Sequence, residues 1–77
     1  MAATMKTMEL SYADLLKPAQ LMEGDLINID MDIVEVIKIE DDATGDNYII
    51  THRNEFGEQE EYFCNYETMF ELYVFVE

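Results

Sequence analysis

The spacing of apolar residues changes near residue 26, and the change predicts a chain in two parts. Ahead of it, Ser11 with Asp14 three positions on has the form of a capping box, Asp standing where Glu is usual. Leu15 and Leu16 follow, and Pro18 cannot continue a helix, which predicts one or two helical turns over 12–17. Glu23-Gly24-Asp25 reads as a turn. From Leu26 onward the period becomes that of a strand, and runs at 26–29, 33–39, 48–53, 58–64 and 71–76 predict five strands. Within the second run Val34 and Val36 share one face while Ile37 and Ile39 point to the other. That switch predicts a bulge or a sharp bend in the sheet. Residues 41–46, with Gly45 free to take a positive φ, form the next turn, and 54–57 a hairpin connection. Residues 65–69 are too short and polar for a strand and predict a single 3₁₀ or α turn.

These elements predict a mainly all-β chain: an N-terminal arm with a short helix over residues 1–22, then a small five-stranded antiparallel β-barrel domain over 23–77. Its core is expected to include Ile27, Ile29, Val36, Ile50, Phe63, Leu72 and Val74. The order of elements, with one helical turn before the last strand, resembles the SH3-like small β-barrel. The segment Leu21-x-x-Gly24-Asp25-x-Ile27 is similar to the start of the first strand in many barrels of that kind. The resemblance covers residues 21–77. Such openings are frequent in short phage-encoded proteins, so the resemblance implies a fold and a viral source and carries over no functional residue.

At 77 residues the chain is one domain, near the lower limit at which packing alone holds a fold. Hydrophobic content of 49%, with five Tyr and four Phe, separates it from disordered acidic tails. A single cysteine, Cys64, forms no internal disulfide; within Tyr62-Phe63-Cys64 it reads as a small buried hydrophobe, with no neighbouring cation to activate a thiolate. No apolar run is long enough to span a bilayer, and residues 1–7 lack the apolar segment of a signal peptide. The expected location is therefore cytoplasmic, in the host cytoplasm for a phage-encoded protein, and acidity argues against anionic membrane surfaces.

Charge narrows the function. Residues 1–22 carry Glu9 and Asp14 against Lys6 and Lys17, so the whole net charge of −14 falls on 23–77, where Lys38 and Arg53 are the only cations. Catalytic and cofactor sets are missing, and the expectation is no enzyme, no cofactor and no metal. His52, the one histidine, leaves no His pair for a metal and reads as a solvated strand-end residue beside Arg53. A Cys64–His52 nucleophilic pair across neighbouring strands is the one such pairing the composition allows. The stretch from Asp41 to Asn47 departs from a calcium loop, with Ala43 at the third position and His52 at the twelfth. Three isolated glycines make no phosphate loop. Direct nucleic-acid binding is expected to be absent, because four basic residues give no phosphate footprint.

The inverse reading fits better. A globule of this length is roughly 30 Å across, and duplex DNA carries about 18 charges over that distance. The expected function is a non-enzymatic acidic module that binds a basic protein surface, of the type phages use as DNA mimics to inhibit a host nucleic-acid-handling protein. Candidate contacts are Asp41, Asp42 and Asp46 in the turn and Glu58, Glu60 and Glu61 on the fourth strand, with Tyr62 as an aromatic anchor. The alternative is a structural or accessory virion or assembly protein that self-associates through Tyr- and Phe-bearing strands. A saline environment is a further source of acidic surfaces.

Overall fold

The computed structural model describes residues 9–76. Six strands follow one another as β1 (Glu9–Leu16), β2 (Leu26–Ile29), β3 (Asp32–Asp41), β4 (Asn47–Arg53), β5 (Gln59–Asn65) and β6 (Phe70–Val76), with a 3₁₀ helix (Pro18–Gln20) after β1. They form a single antiparallel sheet in the order β1-β6-β2-β3-β4-β5. Among the described residues no helix is long and apolar enough to cross a membrane.

The N-terminal helix and the closed five-stranded barrel do not form. The predicted N-terminal helix is the strand β1, paired along its length with β6 from Glu9↔Val76 to Leu16↔Phe70. A helix of one or two turns is marginal without tertiary support, whereas β6 offers this segment a strand edge to pair with, in a ladder interrupted only between Tyr12 and Asp14. The Asp14 carboxylate accepts a hydrogen bond from the Leu15 amide (2.7 Å) instead of closing a capping box. Pro18 begins the 3₁₀ helix rather than ending an α-helix, as its fixed φ and missing N–H favour. The single turn expected at 65–69 is present, closed by the Thr68 amide on the Asn65 carbonyl (3.2 Å), the i+3→i bond of a 3₁₀-type turn. Finally, the sheet has six strands and does not close into a barrel. Both edges of β6 are occupied, by β1 and β2, so β5 meets it through side chains alone.

The sheet is nonetheless strongly bent. In a flat sheet β5 and β6, four strand spacings apart, would lie about 19 Å from each other. Yet the Tyr62 and Phe70 rings, one from each, meet edge to face at 5.8 Å. The bend coincides with the bulge expected in β3: pairing with β4 passes from Val36↔His52 to Lys38↔Thr51, leaving Ile37 unpaired. Within the curve lie Leu21, Ile27, Ile29, Val34, Val36, Ile50 and Phe70, all buried, with Leu16, Ile39, Tyr48, Tyr62, Cys64 and Leu72 packed against them.

Four of the seven expected core residues are buried and Leu72 packs at the margin. Phe63 and Val74 are not core. Phe63 is 70% exposed because its register partner is Ile49, on the face opposite Tyr62 and Cys64. Val74 is 42% exposed because β2 pairs with β6 only as far as Tyr73. Beyond that point Val74, Phe75 and Val76 run beside Ser11, Leu10 and Glu9 as a two-stranded ribbon.

The β2–β3 hairpin stores backbone strain. Ile29 pairs with Asp32 across a two-residue turn whose residues, Asp30 (φ 51°) and Met31 (φ 71°), both lie in the left-handed region. Such turns prefer Asn-Gly, and Met31 is 92% exposed, so nothing in the core holds it there. Met31→Gly should therefore stabilise the fold, by about 0.5–1 kcal/mol after glycine's own entropy cost. Chemical denaturation of the two proteins checks this; an unchanged or lowered midpoint would show that the strain is absent.

Candidate functional site

In an antiparallel meander successive turns lie at alternate ends of the sheet. That simple rule places the carboxylates. The β3–β4 turn, with Asp41, Asp42 and Asp46, lies at the Asn47 end of β4, where β5 contributes Asn65. Glu58, Glu60 and Glu61 lie at the Arg53 end, where Arg53 pairs with Gln59 and His52 with Glu60. The six acids thus form two clusters toward opposite ends of β4, spanning about 20 Å over its seven residues. The nearest members, Asp41 opposite Tyr48 and Glu61 opposite Thr51, are about 10 Å apart along the strand. Salt at physiological strength screens charges beyond about 8 Å, so close to the surface the clusters act as two fields.

The turn cluster is organised by one of its own members. Asp42 Oδ1 accepts hydrogen bonds from the Thr44 hydroxyl (2.6 Å), the Gly45 amide (2.9 Å) and the Thr44 amide (3.0 Å). Its Oδ2 accepts one from Asn47 Nδ2 (2.9 Å). The Thr44 hydroxyl, then Asn47 and the two amides, hold this carboxyl well below the usual carboxylate range. Asp42 is therefore a turn-forming residue first, while Asp41 and Asp46 stand exposed. The Asp46 carbonyl accepts the Tyr66 amide (3.0 Å), tying this turn to the β5–β6 connection.

A depressed native pKa has a defined sign. The ionised Asp42 contributes stability above its ordinary value of 3.8, and that contribution is lost as the pH falls below it. Asp42→Asn should melt at a lower temperature than the parent at neutral pH, and the gap should narrow in acid. Melting curves down a pH series check this. A gap that is constant with pH would mean that the charge on Asp42 plays no part.

At the other end the curve of the sheet opens into a small cavity of about 180 Å³. Ile29 and Val34 form its floor, His52 and Tyr62 its wall, and Asp30, Asp32, Asn54, Glu58 and Glu60 its rim, while Glu61 borders it through its backbone and turns its side chain to the outer face with Phe63. Strand alternation puts Glu60 and Tyr62 on the face that His52 shares with Ile50. Contrary to the expectation of a solvated strand end, His52 is only 7% exposed, and its Nδ1 is buried without a hydrogen-bond partner. Tyr62, the expected aromatic anchor, is half-buried with its ring against Phe70. Glu58 is steadied by Asn54 Nδ2 (3.0 Å).

Counter-charges are few. Among the described residues two ion pairs form, Arg53–Glu35 (3.0 Å) and Lys38–Glu40 (3.4 Å), both exposed, and neither involves a carboxylate of the two clusters. The Cys64–His52 pairing that composition allows does not form: Cys64 pairs with Tyr48, four residues along β4 from His52 and thus about 13 Å away. The thiol donates to the Tyr48 carbonyl (3.8 Å), and burial pushes its pKa up. Among the described residues no three His, Cys, Asp or Glu side chains converge to hold a metal ion. No protein-family model, no curated protein and no solved structure matches the chain.

Proposed function

We propose that this protein is a non-enzymatic acidic binding module that docks on the basic surface of a nucleic-acid-handling protein and occupies the place of the nucleic acid. One observation carries the reading. Two carboxylate clusters without cation partners among the described residues together span about 20 Å of the sheet, a length over which duplex DNA carries about 12 charges. A surface of that sign and spacing draws a basic groove from a distance and raises the rate of encounter. Self-repulsion at a net −14 lowers the stability of the free protein, and a cationic partner would relieve it.

Competition tests the reading. Protein captured on the immobilised chain at low salt should be released by duplex DNA and by added salt. Capture that withstands both would contradict the proposal. A second reading, an assembly subunit, is favoured by the β1–β6 ribbon, where Leu10, Tyr12, Val74, Phe75 and Val76 are all exposed. Exposed apolar surface of this kind marks interaction sites. It requires self-association or co-purification with a particle, which sedimentation of the isolated protein measures.

A further inference from the structure

We propose that the cavity at the open end of the sheet receives one arginine side chain of the partner, its guanidinium held between the rim carboxylates and the His52 imidazole. The inference rests on the proposed function and names the element by which the basic surface is recognised. At about 180 Å³ the cavity is smaller than the roughly 300 Å³ at which small-molecule pockets begin, and it suits a single side chain. Its floor, Ile29 and Val34, is apolar and matches the methylene stem of a long cationic residue.

The second, independent observation is His52. Buried polar atoms are nearly always paired, yet Nδ1 of this almost fully buried ring has no partner. The imidazole forms part of the cavity wall, and although Nδ1 itself lies beneath the surface, a half-turn of the ring about its Cβ–Cγ bond would present it to a donor brought from outside. The chain's own cation nearest in sequence does not supply it. Arg53 projects to the opposite face, where it donates to Glu35 Oε1 (3.0 Å).

The rim selects among cations. No three of its acidic side chains converge to hold a metal ion, and a ligand with donors spread over several ångströms can engage more than one of them. A guanidinium presents five N–H groups in a planar fork and is weakly hydrated, whereas an ammonium is a compact, strongly hydrated point charge. Arginine therefore fits this mouth better than lysine.

Nuclear magnetic resonance of the isotopically labelled protein tests the idea, with N-acetyl-L-arginine N-methylamide and its lysine counterpart as probes at low salt. The arginine probe should shift the His52 and Tyr62 ring signals saturably, and the lysine probe should do so about threefold more weakly. Exposed charges contribute modestly, so Glu60→Gln and Asp32→Asn should each weaken the arginine response by about threefold, while Glu67→Gln, in the β5–β6 turn and outside both clusters, leaves it unchanged. His52→Phe, which keeps a ring in the wall, should abolish the arginine preference; if it does not fold, the two rim variants decide the matter. Unmoved His52 signals, with shifts confined to Asp41 and Asp46, would overturn this inference and leave the acidic-module reading intact. If neither probe moves any signal and basic proteins also fail to bind, both readings fall.

Discussion

Ile50→Ala and Phe70→Ala should each destabilise the fold by about 2–5 kcal/mol, the phenylalanine toward the upper end. Both residues are buried, and both hold the curve of the sheet together. Ile50 lies at the centre of β4, flanked by Ile39 on β3 and Tyr62 on β5. Phe70 provides the edge-to-face contact with Tyr62 that joins β6 to β5, where no backbone ladder does. A domain of this length has about 4–12 kcal/mol of stability in all, so either truncation leaves much of the population unfolded at moderate temperature. Phe63→Ala is the control. Its ring is exposed on the outer face of β5, and its removal should change stability by no more than about 0.5 kcal/mol. Denaturant titration of the three variants measures the contrast. If Ile50→Ala melts like the parent, or Phe63→Ala is as damaging as Phe70→Ala, the core has been placed on the wrong face.

Those residues also show how far the fold could be read in advance. Leu26–Ile29 and the bulge in β3 were legible because strand period and a mid-strand change of face are local signals. β1 was not. Its eight residues carry a capping pattern that favours a helix locally, and the outcome was decided by pairing with β6 nearly sixty residues away. Tyr62, Phe63 and Cys64 are apolar at consecutive positions, so period alone does not say which face is inward; the register with β4 does. His52 follows Tyr48 and Ile50 at the strand period and so pointed inward, but its polarity suggested the opposite.

The candidate site was legible as a set of charges and not as a shape. Counting carboxylates finds both clusters, yet treating neighbouring hairpins as one surface merges what the meander separates. Applying the alternation of turns to the predicted strands would have joined Asp30 and Asp32 to Glu58, Glu60 and Glu61, and set Asp41, Asp42 and Asp46 apart. The cavity, by contrast, arises from the bend of the sheet around Tyr62 and Phe70, a long-range contact with no local signal.

The largest functional effect is expected from neutralising both clusters together. The variant carries Asp41→Asn, Asp46→Asn, Glu58→Gln, Glu60→Gln and Glu61→Gln, and it spares Asp42 because that carboxylate builds the turn. One exposed charge is worth roughly 0–1 kcal/mol, so single neutralisations should be nearly silent. The summed field is different: electrostatic steering raises association rates by 10–10³-fold. The deciding measurement is the association rate of the folded quintuple variant with the captured partner at low and moderate salt. It should be at least about tenfold slower than the parent at low salt, with a flattened salt dependence and the two proteins converging as salt rises. Equal rates at low salt would contradict an acidic docking surface and leave the apolar β1–β6 ribbon as the interface.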